Sequence, residues 1–482
     1  MTPRYACRPS GKLANRCRSR VCRNTKETSW RRLYIERGDN MQLLPNHAAS
    51  DASKRLYRKV TLRIVPYLFV AYVVAFLDRI NIGFAQLQMK GDLGFSDAVY
   101  GLGAGVFFLG YFLLEVPSNL MLLRIGARRT FVRIMVCWGA VSACMAFVTT
   151  PSMLYLLRFL LGAFEAGFFP GIILYLTFWF PAARRAAVTS WLFVAVAVAG
   201  VLGGIVSGTI MQYTNGMHGL AGWQWLFIIE GLPAIVLGAL ALWMLQDSPQ
   251  AASWLSVEEK QYLLRELEAD YEAKRDVASG SFLEALRNPR VYLLAAIYFT
   301  LTCGTMAISF WLPALIKGAG VTDVLHVGLY SAIPYGLGAL GIVFISRHSD
   351  LHRERRGHYA LCAIGGGAAL SVLALYTGSL PSVICLLSVA VVLTFSALPI
   401  FWSIPQDYLS GTGAAGGIAL ISSLGQLGSF FSPAMIGWMK TATGKLDNGL
   451  HLLALLLILG GVVMYFSLGG IRKAVTSHIQ HQ

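Results

Sequence analysis

Runs of about twenty apolar residues, each able to cross ~30 Å of hydrocarbon as a helix, recur along this chain. They lie near 62–85, 100–123, 130–149, 153–180, 187–213, 223–245, 291–315, 325–346, 359–378, 382–406, 414–439 and 450–470. The polar intervals are short except for 247–290, which parts the runs six and six. The predicted fold is therefore an all-α membrane protein with twelve transmembrane helices in two six-helix bundles. A basic segment over 1–60 would precede the first bundle (61–246). The linker (247–290), the second bundle (291–471) and a short tail (472–482) follow. Within the linker, 256–275 predicts an amphipathic helix opened by a capping box, with Ser256 as cap and Glu259 three residues on. That helix is expected to lie between the two bundles.

Composition agrees with lipid as the solvent. Of 482 residues, 56% are apolar and 13% charged, against about a quarter charged in soluble domains. The net charge of +16 is concentrated: residues 1–60 hold fifteen Lys and Arg against four acids, so +11 of it lies there. No soluble basic fold surrounds this charge, which argues against a nucleic-acid partner. The first 40 residues lack the apolar core of a secretory signal; translation from Met41 is expected, with an Arg-rich transit leader as the alternative.

Loop charge sets orientation. One set of loops and the tail carries eighteen Lys and Arg, among them Arg128, Arg184, Lys260 and Arg355; the opposite set carries Lys90, Lys317, Lys440 and Lys445. The first set, with both termini, is expected in the cytoplasm. The eight cysteines show no metal-ligand spacing, and no metal is expected.

Glycine is concentrated in runs 2, 5, 8 and 11, every third helix: Gly101, Gly103 and Gly105; Gly200, Gly204 and Gly208; Gly336, Gly338 and Gly341; Gly416, Gly417, Gly425 and Gly428. This period suggests an internal repeat whose small residues let backbones approach closely.

An ionisable side chain in hydrocarbon costs at least ~3 kcal/mol, so each one is a functional candidate. They are Asp78, Arg79, Glu115, Arg158, Glu165 and Glu230, all in the first six runs. At ~1.5 Å per residue, Asp78 and Arg79 fall roughly 10 Å below the outer surface, Arg158 about 8 Å and Glu165 about 18 Å. Arg158 and Glu165 are two turns apart and share a face. Two carboxylates and two guanidiniums are expected to line one cavity, where each must pair, protonate or bind a counter-ion; the alternative is a purely structural pair of salt bridges joining runs 1 and 4. Glu115 and Glu230, each beside Gly or Pro, are read as gating or structural. No Walker sequence, nucleophile elbow or metal-spaced set of His and Cys occurs, so no enzyme and no cofactor is expected, and an ion or substrate gradient must supply the driving force.

Several stretches resemble the major facilitator superfamily and, within it, the anion:cation symporter family. They are AFLDRINIGFA (75–85), VYGLGAGVFFLGYFLLEVPSNLMLLRIGARR (99–129), RFLLGAFEAGFFPGIILYLTFWFP (158–181), GLAGWQWLFIIEGLP (219–233), SDLHRERR (349–356) and GIALISSLGQLGSFFSP (417–433). The family's bacterial members carry sugar acids, tartrate, phthalate or hydroxyphenylacetate. The resemblance implies alternating access around a central cavity and proton-coupled uptake of a small organic anion, by a monomer in the bacterial inner membrane. It implies that Asp78 and Glu165 are proton-linked, that Arg79 and Arg158 handle the substrate's carboxylate, and that Tyr111, Ser422 and Gln426 contact substrate. The sequence departs from the family at Phe76, where tyrosine is common, and at Ser422 and Gln426, where asparagine is. It also has Leu123 where the superfamily's loop 2–3 has an acid, whereas Asp350 keeps the acid of loop 8–9. An uncoupled facilitator or exporter of the same fold, or a membrane sensor, are the alternatives.

Overall fold

A computed structural model describes residues 46–275, 286–352, 354–375, 378–408 and 412–467. The start at Met41 and the tail 472–482 lie outside these residues. The chain divides into Met1–Arg55 and a compact unit, Leu56–Gln482, which is the helical bundle.

Among the described residues there are twelve helices long and apolar enough to span a membrane, from Ser53–Leu93 to Asp447–Ser467. The first is longer than hydropathy predicts, because polar residues beyond 85 find partners instead of ending the helix. Gln86 donates to the carbonyls of Gly83 (3.1 Å) and Phe310 (2.9 Å), and Lys90 pairs with Asp97. Helix starts carry ordinary caps. The Ser96, Thr150 and Asn288 side chains each accept a backbone N–H, and proline follows at 151 and 289, where its missing N–H is harmless.

The glycine period becomes two seams between the halves. Span 2 (Asp97–Ile125) lies on span 11 (Gly417–Thr443), with Gly101 against the Pro433 carbonyl and Gly105 against that of Phe430. Span 5 (Ala182–Tyr213) lies on span 8 (Val324–His352), where Gly204 faces Gly328 backbone to backbone. A Cβ at Gly208 would sit 3.0 Å from the Val324 carbonyl. Gly425 and Gly428 instead admit Tyr298 and Thr302 of span 7, and Gly338 and Gly341 admit valines of span 10.

The two ends of the bundle differ. At the end holding Lys90, Lys317 and Lys440, the halves are tied together. Asp97 takes both Lys90 and Lys440 (3.2 Å), Lys317 donates to the Leu87 carbonyl (2.9 Å), and Tyr100 to that of Phe310 (2.9 Å). At the arginine-rich end, the helix Val257–Arg275 rests on the first half. Glu259 pairs with Lys59 (2.7 Å) and Asp270 with Arg185 (3.6 Å), while Trp254 stacks on Trp179. Its acidic face thus meets basic residues at the ends of spans 1 and 5. The expected capping box is present: Glu259 accepts from the Ser256 N–H (2.9 Å), and Ser256 Oγ from the Glu259 N–H (3.2 Å).

Candidate functional site

Span 4 (Pro151–Thr177) is discontinuous. One helix ends at Glu165 and a second begins at Phe168. Ala166 has extended ψ (133°), and Gly167 sits at φ 84°, where a side chain would be strained and would also collide with Ser118 of span 2. Pro170, lacking an N–H, fits the first turn of the second helix. Glu165 therefore stands at a break in the middle of a span.

Arg79 stands opposite. It lies 14 residues before the end of span 1 at Leu93, and Glu165 lies 14 residues after the start of span 4, so each is about 21 Å from the lysine end. This corrects the expected stagger between Arg79 and Glu165: span 1 extends further than hydropathy indicates, and these two charges share one level. Arg79 Nη2 donates to Glu165 Oε1. The guanidinium also lies over the rings of Phe107 and Tyr111, 5.4 Å from each centroid. Glu165 is buried, whereas 14% of the Arg79 side chain is exposed, so the cation is the member of the pair a solute can reach.

The remaining two charges are held otherwise. Arg158 is fully buried, its Nε donating to the Gly103 carbonyl (3.3 Å) and its guanidinium 5.0 Å from the Phe107 ring centroid. Span 2's carbonyls and that ring, not a carboxylate, hold it, and its Nη1 has no partner. Asp78 accepts from Ser142 Oγ and from Asn81 Nδ2 (3.0 Å), with no arginine within ion-pair distance among the described residues. Among the described residues, one salt bridge forms within this set of four, between Arg79 and Glu165.

Tyr111 lies under Arg79. Glu115, one turn on, is half-buried and within electrostatic reach of the same guanidinium. Ser422 and Gln426 are half-buried on span 11, and Gln426 accepts from Ser429 Oγ (3.0 Å). Glu230 accepts from Ser207 Oγ (2.7 Å). Asp350 is mostly exposed and 3.8 Å from Arg355, at the arginine end. An acid from elsewhere in the chain meets loop 2–3: Asp247, just past span 6, accepts from the Arg128 N–H (2.8 Å) at the start of span 3.

Sequence reasoning missed four residues. Tyr72 and Tyr298 lie within electrostatic reach of Arg79, the second reaching across from span 7, where it stacks on Phe401. Tyr72 could have been found, since it shares Phe76's helix face one turn earlier and supplies a hydroxyl there. Asn81 and Ser142 hold Asp78; Asn81 was visible as a polar residue three positions after it. Tyr298 and Ser142 carry no signal that separates them from other tyrosines and serines in the spans.

The Major Facilitator Superfamily matches residues 68–433. A protein of Agrobacterium vitis named "Putative tartrate transporter" is 44% identical over 452 residues, which cover 94% of this chain and 98% of that one. The "Quinolone resistance transporter" of Acinetobacter baumannii is 39% identical over 435 residues, 90% of this chain and 99% of its own. Among solved structures, a bacterial homologue of the human lysosomal transporter Spinster, inward-facing and unoccupied, matches with a TM-score of 0.69 at 16% identity. That match covers 83% of this chain and 95% of the other.

Proposed function

This chain belongs to the major facilitator superfamily, and on that premise we propose that it carries small organic carboxylates into the cell together with protons. It is a membrane transporter of small molecules and not an enzyme. The observation that carries the finer reading is the Arg79–Glu165 pair, a carboxylate already seated on a reachable guanidinium at mid-span.

A substrate carboxylate competes with Glu165 for that guanidinium. Protonating Glu165 removes the competitor's charge and frees Arg79 for a charge-assisted, bidentate contact with the substrate. Without the proton, binding the anion leaves two carboxylates on one cation in a low-dielectric site, which the desolvation penalty disfavours. Proton and substrate therefore load together. Tyr111 lies under the guanidinium and offers a hydroxyl, which suits hydroxylated acids. Loop charge puts the lysine end outside. Its contacts then close the outer face, and the described state is one facing the cytoplasm.

Vesicles containing the purified protein, given L-tartrate as probe, test the reading. Accumulation is expected to follow an inside-alkaline pH gradient and to collapse with a protonophore. Uptake indifferent to the protonophore contradicts it. The name of the Acinetobacter baumannii relative favours a second reading, an exporter. Norfloxacin exclusion by expressing cells, with no tartrate uptake in vesicles, would support that one.

A further inference from the structure

At the lysine end, three ammoniums converge on one carboxylate. Asp97, at the start of span 2, pairs with Lys90 of span 1 and with Lys440 of span 11 (3.2 Å). Lys317, at the end of span 7 (Pro289–Gly318), donates to the carbonyl of Leu87 (2.9 Å), three residues before Lys90, and forms no ion pair among the described residues. Lys440 also lies over the ring of Trp311, 5.5 Å from its centroid, and the Nε1 of that indole is a buried donor without a partner. The other acids of this end are engaged elsewhere. Asp92 accepts from Trp223 Nε1 (2.8 Å), Asp323 pairs with His326, and Asp447 lies in the first turn of span 12.

The cluster is divided unevenly between the halves. Lys90 and Asp97 belong to the first, Lys317 and Lys440 to the second. All three lysines are half-buried, and one shared carboxylate repays their lost hydration only in part. When the halves part at this end, Asp97 keeps Lys90, its neighbour across the short turn between spans 1 and 2, and loses Lys440. One wall of the opening is then neutral, and the other carries two ammoniums without a carboxylate. That wall borders the route to Arg79, which lies eleven residues below Lys90 on span 1, about 16 Å.

We infer that Lys317 and Lys440 form an entry site for the substrate's carboxylate, and that Asp97 occupies this site while the lysine end is closed. The inference rests on the proposed reading of an inwardly carried carboxylate. Two ammoniums attract a dianion more strongly than a monoanion and raise its concentration at the opening. Asp97 then plays at the mouth the part proposed for Glu165 at mid-span. It is a resident carboxylate that competes with the substrate for a cation, and its return to Lys440 displaces the anion inward as this end closes.

Initial rates of L-tartrate uptake by vesicles containing the full-length protein test the entry site. Lys440→Gln is expected to raise KM about fivefold with kcat little changed, and Lys440→Arg to keep the wild-type KM. Asp97→Asn breaks the same ion pair without removing a cation, so its KM is expected to stay level or fall. Lys317→Gln leaves that pair intact and is expected to raise KM as well; where Lys440→Gln does not fold, this variant decides. With both lysines replaced by glutamine, the rise of KM with ionic strength seen in the wild type should flatten. Equal changes in KM for Lys440→Gln and Asp97→Asn would mean a closing contact and nothing more, and would overturn the inference, as would a KM that neither lysine substitution moves. The expected KM pattern combined with protonophore-insensitive uptake supports the entry site and contradicts symport. Proton-driven uptake with an unmoved KM does the reverse.

Discussion

Glu165 and Asp78 are equally buried, yet among the described residues one sits in an ion pair and the other does not. Arg79 follows Asp78 directly in sequence but serves Glu165, because consecutive helical residues point in directions about 100° apart. Span 1 thus presents Arg79 to Glu165 of span 4 and Asp78 to Ser142 of span 3. The first can be opened by an anion or a proton, the second only by a positive charge. Burial alone does not distinguish these roles; the partner does.

The comparison can be broken most severely at Arg79. Arg79→Met leaves Glu165 buried without its cation and is expected to lower stability by about 3–5 kcal/mol. Adding Glu165→Gln should restore much of the loss, as read from thermal unfolding in detergent. Equal destabilisation by the single and double variants would mean that the pair is not coupled.

A smaller effect is expected at the seam between spans 5 and 8. Gly204→Val inserts side-chain atoms against the Gly328 backbone. Overpacking of about 1–3 kcal/mol would act against this state alone and shift the halves about 5–150-fold towards opening at the lysine end. Labelling of Gln86→Cys by an impermeant thiol reagent, read at that position by mass spectrometry, should quicken accordingly. Asp97→Asn releases Lys90 and Lys440 together and should move the same readout by less, about 1 kcal/mol or under.

The smallest effect lies in the linker helix. Burial works against the charge of Glu259, but Lys59 and the Ser256 N–H outweigh it and hold the carboxyl below its ordinary range. A lowered folded value means that the stabilisation is present above the unfolded value and is lost as pH falls through the folded one. Hydrogen exchange over 257–275 should accelerate with acidification through that window, and Ser256→Ala, at about 1 kcal/mol, should accelerate it at all pH values.

The twelve spans were legible because hydropathy is a property of consecutive residues. Span 1 was cut short because Gln86 and Lys90 look like loop residues until Phe310 and Asp97 come beside them. The charged candidates were legible one at a time, by the expense of burying each. Their pairing was not: Arg79 and Glu165 are 86 positions apart, and Arg158 was intercepted by carbonyls that every residue carries. The run 153–180 reads as one continuous span, and only the backbone shows the break at Gly167 with Glu165 standing at it. Asp247, the acid that meets loop 2–3, comes from just past another span, beyond any local motif.

The central claim is that Glu165 carries the transported proton by releasing Arg79. Its most direct test compares two modes of L-tartrate transport in vesicles containing Glu165→Gln. Exchange of internal for external tartrate is expected to continue, and accumulation against a concentration gradient, driven by an inside-alkaline interior, to vanish. A variant that still accumulates tartrate in proportion to the pH gradient would contradict the account.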